Sequence, residues 1–169
     1  MFGGRVILYR RLTYAILKPM LKSSLEELSV RYGISAIYLF GSQTDSGKKY
    51  VDSEKVTPER FSDLDIAVAF ETAPLEVIKT YGELYKDISK LFDPFNVDLV
   101  FMHEVNVLFQ FEIIKGVRIY EKNIAQSDEF EENIMKRAED LLFKKRVFDK
   151  EVMEAIEDGY FEFEYSPHP

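Results

Sequence analysis

Three aspartates have the side-chain type and the spacing best suited to chemistry in this chain. Asp63 and Asp65 stand two residues apart at the start of one apolar run, and Asp98 stands near the start of another. Because alternate residues of a strand point to the same face, we expect Asp63 and Asp65 to point together. An isolated carboxylate in a core strand is costly to bury unless it is paired or binds a metal. Three converging carboxylates would form an oxygen site suited to Mg²⁺ or Mn²⁺, and such ions can bridge triphosphate oxygens.

A Gly-Ser pair at the end of an earlier apolar run indicates a phosphate-binding turn. Gly41 would let the backbone approach a phosphate closely, and Ser42 adds a hydroxyl and an N–H donor. The N–H groups that follow would be free to receive an anion if a helical turn began there. Gly41 and Ser42 are therefore candidate phosphate contacts.

The elements that must position these residues follow from the hydrophobic pattern. Helical spacing of apolar residues predicts four helices, and short apolar runs predict four strands. The predicted helices cover residues 15–32, 74–92, 105–115 and 127–148, and the predicted strands cover residues 35–40, 64–70, 97–102 and 117–122.

Caps and helix breakers locate the ends of several elements. Gly33 follows the first helix as a C-cap, and Pro74 falls in the first turn of the second helix. Ser127 is a candidate N-cap of the long last helix, after which a further short helix runs to about Glu157. The polar stretch 43–62 predicts a long loop between the first two strands.

The order of these elements predicts the fold class and the domain organisation. The first two strands have no predicted helix between them, so we expect an antiparallel pair within an α/β (α+β) sandwich. We expect a principal domain over residues 1–125, in which residues 43–62 are an inserted loop. Residues 126–169 are expected to form a C-terminal helical extension and tail.

Composition excludes several classes of protein. The 46% apolar and 14% aromatic content is ample for a buried core, which excludes a disordered chain. Without cysteine there can be no disulfide framework, zinc–thiolate site or thiol nucleophile. The net charge of −8 argues against general nucleic-acid binding. The first apolar run is too short and too interrupted by Arg and Lys for a signal peptide or membrane span, so we expect a cytoplasmic protein.

The combined pattern resembles the DNA polymerase β-like nucleotidyltransferase superfamily, and within it the minimal nucleotidyltransferases (MNT). The resemblance covers roughly residues 20–122 and is specific because several motifs occur in the family's order. It implies a nucleotidyltransferase fold with a mixed sheet of about four strands. The motifs that carry it are IYLFGSQ, SDLDIAV, NVDLVFM and EIIKGVRIYEK.

The resemblance also implies roles for the candidate residues. Asp63, Asp65 and Asp98 would bind Mg²⁺ or Mn²⁺, and Asp98 would also help to deprotonate an acceptor. Gly41 and Ser42 would contact the triphosphate of ATP or another nucleoside triphosphate. The implied reaction is transfer of a nucleoside monophosphate, with AMP from ATP as the preferred case, to an acceptor hydroxyl.

A protein partner is implied by the same resemblance. Minimal nucleotidyltransferases often pair, as antitoxins, with a small helical HEPN-domain ribonuclease toxin, and they can nucleotidylate a toxin tyrosine. A HEPN-domain partner that presents the acceptor hydroxyl is therefore expected here. Self-association into a homo-oligomer is left open.

Two departures from the family pattern keep other functions open. The spacer between Ser42 and Asp63 has 20 residues, longer than is common in the family, and Thr44-Asp45 stands where Ala-Arg is common. One alternative is a catalytically inactive interaction module that neutralises its partner by binding, and another is transfer to a small molecule such as an aminoglycoside. The basic residues of the last helix either face solvent or contact an acidic partner or nucleotide. They are Lys136, Arg137, Lys144, Lys145 and Arg146.

Overall fold

A computed structural model describes residues 21–59 and 61–159 as helices packed on a four-stranded mixed sheet. Residues 21–32 belong to the first helix, α1. The elements that follow are β1 (Ile34–Phe40), α2 (Thr44–Val51), β2 (Leu64–Phe70), α3 (Val77–Leu91), β3 (Val97–Phe101), a 3₁₀ turn (Met102–Glu104), α4 (Val107–Ile114), β4 (Val117–Glu121) and α5 (Ile124–Glu157).

The sheet confirms the predicted fold class and the antiparallel first pair. Its strand order is β3-β2-β1-β4. β1 pairs antiparallel with β2 and β4, whereas β2 pairs parallel with β3. A parallel pair needs a crossover connection, and α3 provides it.

Both faces of the sheet are covered by helices. On one face, Leu39 and Ile66 belong to a buried cluster that includes Leu84 of α3. On the other face, Ala67 belongs to a second cluster with Ile113 of α4 and with part of α5. Because both faces of the sheet are buried, the central strands are nearly continuous apolar runs. Their positions could therefore be predicted from the sequence.

The prediction of one long loop over residues 43–62 is wrong in its first half, where α2 forms. α2 has few apolar residues, so it lacks the helical period from which helices are predicted. Gly47 explains how it packs. A Cβ at this position would come within 2.6 Å of Leu64 Cδ1 and 2.8 Å of Leu39 Cδ1, so any other residue would force these two buried side chains to move. Packing on the sheet, more than local propensity, stabilises α2.

The predicted start of α3 is also wrong. The helix begins at Val77, and Pro74 precedes it. Leu75 and Ile78 fit the helical spacing of apolar residues, and this placed the predicted start too early. Both side chains are exposed in the structure. Gly33, by contrast, ends α1 as predicted, with a φ of +68°.

α5 is one continuous helix to Glu157, and the predicted break after its first segment is absent. No glycine or proline interrupts residues 124–157, so nothing forces a break. The N-cap is Asn123, whose side chain accepts a hydrogen bond from Gln126 N–H at 3.1 Å. Ser127, the predicted cap, is buried inside the helix.

Some predictions are not tested by the described residues. Residues 15–20 of the first predicted helix and the tail from residue 160 lie outside them. The division into two parts near residue 125 stays a prediction. No helix in the described part of the chain is long and apolar enough to cross a membrane.

Candidate functional site

Two of the three candidate aspartates lie side by side at one end of the sheet. Asp65 of β2 and Asp98 of β3 are Cα partners in the parallel ladder. Successive side chains of a strand point to opposite faces of the sheet. Leu64 and Leu99 lie in the core on one face, so the carboxylates of Asp65 and Asp98 lie on the other. Asp65 is half-buried and Asp98 is exposed, so the pair lies open to solvent at the sheet end.

Gly41 lies directly against this pair. It follows β1, whose last residue, Phe40, pairs with Asp65. Gly41 has a φ of +74°, and a Cβ built on it would overlap the carboxylate of Asp65. Glycine is therefore required here both by the backbone conformation and by the close approach.

A hydrogen-bonded clamp joins Ser42 and its neighbour to the segment before Asp63. Ser42 Oγ lies 2.7 Å from Ser62 Oγ. The buried Gln43 side chain donates to the Ser62 carbonyl and accepts from Glu59 N–H at 3.1 Å. These bonds fix the chain that leads to Asp63, the exposed residue just before β2. Gln43 and Ser62 stand at the ends of the motifs IYLFGSQ and SDLDIAV, but neither was predicted to have a role, because a polar residue type alone does not indicate burial or a hydrogen-bond partner.

The conditional expectation of a helical turn after the Gly-Ser pair is met by α2. Thr44 begins the helix, and its hydroxyl donates to the Gly41 carbonyl at 2.9 Å. The first N–H groups of a helix have no intrahelical acceptor and form its positive end, which favours an anion. Asp45 lies in this first turn and places a negative charge there.

The carboxylates repel one another. Partial burial raises the pKa of Asp65 above its ordinary value, and the charges of Asp98 and then Asp63 raise this pKa further. A hydrogen bond from its own backbone N–H opposes the rise. No ion pair found within residues 21–59 and 61–159 involves any of the three. The site thus carries negative charge that a cation would relieve.

The donor set fits a divalent cation that is shared with a substrate. Within the described residues, no group of three or more Asp, Glu, His or Cys side chains is already arranged to hold a metal ion. Mg²⁺ is, however, usually held by one or two carboxylates together with substrate phosphates and water. Asp65 and Asp98 supply two adjacent carboxylates for such a shared site, and Asp63 stands near its edge.

Comparison with known families gives one match. Residues 23–125 match the family described as "Polymerase beta, Nucleotidyltransferase". The matched range includes the Gly-Ser turn, all three candidate aspartates and β4. Among curated proteins, none matches the chain.

Several solved structures share the fold, among them toxin–antitoxin complexes. A toxin–antitoxin with AMP-PNP is 19% identical, with a TM-score of 0.57 over 78% of this chain and 98% of that one. A tri-AMPylated Shewanella oneidensis HEPN toxin in complex with MNT antitoxin gives 16% identity and a TM-score of 0.54 over 80% and 98%. An MntA–HpeT variant with two Asp-to-Glu substitutions gives 18% identity and a TM-score of 0.57 over 78% and 98%. At these identities the likeness establishes the fold alone.

Proposed function

The chain belongs to the polymerase β nucleotidyltransferase family, and from this premise we propose that it is a Mg²⁺-dependent nucleotidyltransferase. It transfers a nucleoside monophosphate, AMP from ATP, to an acceptor hydroxyl. The observation that carries the proposal is the pairing of Asp65 with Asp98 directly beside Gly41, where partial burial and then the charges of Asp98 and Asp63 raise the pKa of Asp65.

Each candidate residue has a part in this reaction. Asp63, Asp65 and Asp98 hold Mg²⁺ or Mn²⁺, which when bound neutralises the triphosphate and activates the acceptor. The backbone at Gly41 and the hydroxyl of Ser42 contact the β- and γ-phosphates, next to the positive end of α2. The acceptor oxygen bonds to the α-phosphorus, the bond to the bridging oxygen breaks and pyrophosphate leaves. Asp98, the exposed carboxylate on the edge strand, receives the acceptor's proton.

The proposed acceptor is a tyrosine hydroxyl on a HEPN-domain partner protein. The support is that solved structures of the same fold are complexes of MNT antitoxins with HEPN toxins, one of which is tri-AMPylated. Under this proposal the protein is a cytoplasmic antitoxin that acts by modifying its toxin.

A second candidate function is a catalytically inactive module that neutralises the partner by binding alone. Asp45 favours it, because this residue adds a negative charge at the helix turn next to the expected triphosphate position. Such a module would bind its partner without needing a nucleotide.

Calorimetric titration with AMP-PNP, with and without Mg²⁺, tests the proposed site. We expect Mg²⁺-dependent binding to the wild type and its loss in Asp63→Asn/Asp65→Asn. The matched control is Asp140→Asn/Asp158→Asn, which removes the same charge from exposed positions away from the sheet. Absence of nucleotide binding by a folded wild type would contradict the enzyme proposal and favour the inactive module.

Label transfer tests the reaction itself. With a purified HEPN-domain partner, ATP labelled at the α-phosphate should label the partner, whereas ATP labelled at the γ-phosphate should not. Asp98→Asn should reduce transfer by about 10³-fold, since it removes a metal ligand and the proton acceptor together. Equal neutralisation of the partner by wild type and Asp98→Asn would support binding alone.

A further inference from the structure

The two halves of α5 differ in their surroundings. The inner half packs on the domain, where Ser127, Ile134 and Ala138 are buried. Beyond Ala138, residues 139–151 are all exposed. Residues 139–157 are called here the outer half of α5.

The outer half repeats the apolar pattern of the inner half. At 3.6 residues per turn, the line of core-facing residues through Ile134 and Ala138 continues along the outer half as an apolar stripe that one charged residue, Lys145, interrupts. Apolar surface that is arranged on one helix face and left exposed commonly marks an interaction site. The stripe consists of Leu141, Leu142, Phe148, Val152 and Ile156.

Two charges flank the stripe on one side, seven residues apart. Neither Lys144 nor Glu151 makes an ion pair within residues 21–59 and 61–159. The neighbouring Lys145, by contrast, pairs with Asp149 at 2.6 Å inside the same helix. A partner helix that runs in the opposite direction along the stripe would present its own flanking charges to these two residues.

We propose that the outer half of α5 pairs antiparallel with the same segment of a second copy of this chain. A two-fold axis near residues 147–148 places Lys144 of each copy opposite Glu151 of the other, so one contact forms twice. The apolar stripes then face each other along their length. A parallel pair would instead put the flanks that carry these charges on opposite sides of the seam, so Lys144 of one copy would not meet Glu151 of the other.

The size of this surface predicts a weak, reversible dimer. The outer half is about 28 Å long at 1.5 Å per residue. Two such segments bury on the order of 1,000 Å², at the low end for specific interfaces. We therefore expect a dissociation constant in the micromolar range.

Sedimentation equilibrium of the full chain, from micromolar to several hundred micromolar, tests the proposal. Leu141→Lys/Phe148→Lys should weaken dimerisation at least tenfold. Phe143→Lys/Val147→Lys is a closely matched control on the opposite face of the same segment. The replaced side chains are 42% and 63% exposed in the first variant and 63% and 41% exposed in the second. The control should dimerise like the wild type, and circular dichroism should show equal helicity in both.

Charge exchange and crosslinking test the direction of pairing. Lys144→Glu and Glu151→Lys should each weaken the dimer, and the double variant should restore it. Because the chain has no cysteine, single cysteines report proximity directly. Phe148→Cys should crosslink between copies. Leu141→Cys should not, since equivalent atoms there are roughly 20 Å apart in an antiparallel pair.

Three results would overturn the proposal. One is a wild type that stays monomeric at every concentration measured. Another is a dimer that survives Leu141→Lys/Phe148→Lys. The third is crosslinking of Leu141→Cys as efficient as that of Phe148→Cys, which would indicate parallel pairing. No nucleotide enters these measurements, so their outcome is independent of the proposed enzymatic function.

Discussion

β2 and β3 carry opposite chemistry at their two ends. Near the start of this parallel pair, Asp65 and Asp98 face each other in register and repel. At the far end, the Phe70 and Phe101 rings meet edge to face at 4.8 Å, and His103 stacks on Phe101 at 5.7 Å. The end with the two carboxylates therefore destabilises the free protein, and the end with the aromatic rings stabilises it.

Packing at the aromatic end offsets the repulsion between the carboxylates at the other end. Aromatic pairs of this geometry contribute about 0.5–1.5 kcal/mol beyond their buried area. The ring packing at the far end stabilises the same parallel ladder in which Asp65 meets Asp98, while the register itself is held by all five pairs of that ladder. Concentrated charge at a ligand site commonly costs stability in this way, and the rest of the fold offsets it.

The largest expected effect comes from weakening the aromatic end. Phe101 is buried, so Phe101→Ala should lower the free energy of unfolding by about 3–4 kcal/mol, through lost burial and a cavity. Urea denaturation measures it. Magnesium-dependent nucleotide affinity, measured where the variant is still folded, should stay within about twofold of the wild type, because the carboxylates are untouched. A large loss of affinity would mean that the two ends are not separable.

A smaller effect is expected from crowding the carboxylate end. Gly41→Ala should cost about 2–3 kcal/mol of stability and also weaken nucleotide binding, since it combines a positive φ with overlap of the Asp65 carboxylate. Gly33→Ala is the matched control. Gly33 has a φ of +68°, and no atom lies within 4 Å of the place that the alanine methyl would take, so only the backbone cost of about 1 kcal/mol should remain.

A double-mutant cycle separates the two contributions at Gly41. In the background of Asp65→Ala, the overlap is gone, so Gly41→Ala should cost no more than Gly33→Ala does. An unchanged cost in that background would show that the contact with Asp65 is not what requires glycine.

The hydrogen-bonded clamp formed by Gln43 at the carboxylate end should contribute less to stability than Gly41 does. Gln43→Met keeps the shape but removes the bonds to Ser62 and Glu59, at a cost of about 1–2 kcal/mol in stability. Nucleotide affinity should fall as well, because Asp63 follows the clamped segment. Gln110→Met is the control, since Gln110 also donates to backbone carbonyls but lies on α4. It should lose stability without losing affinity.

The sequence predicted the strands better than the parts that complete the site. Apolar runs located β1, β2 and β3, because strands buried on both faces need few polar residues. α2 could not be found, since Gly47 matters through its contact with the sheet and not through a periodic pattern. Spacing alone likewise could not give the register that places Asp65 opposite Asp98, because register is a property of the assembled sheet.

The smallest expected effect is a gain of stability at the carboxylate end. Burial, with the charges of Asp98 and Asp63, raises the pKa of Asp65 in the folded protein above its ordinary value of 3.8. The folded state therefore binds this proton more tightly, so stability falls as pH rises from about 3.8 through the folded pKa. Asp65→Asn removes the ionisation. It should raise the melting temperature on the order of 1–3 °C at neutral pH, and under the proposed function it should abolish nucleotidyl transfer.

Thermal melts between acidic and neutral pH check the sign of this effect. The advantage of Asp65→Asn over the wild type should shrink as pH falls towards 3.8, where Asp65 is protonated in the wild type as well. Asp140→Asn, at an exposed position on α5, controls for the general loss of one negative charge from a chain of net charge −8. If both variants gained equally, overall charge would explain the result. If Asp65→Asn were the less stable protein at neutral pH, the carboxylate end would not be the strained end, and the contrast between the two ends of β2 and β3 would fail.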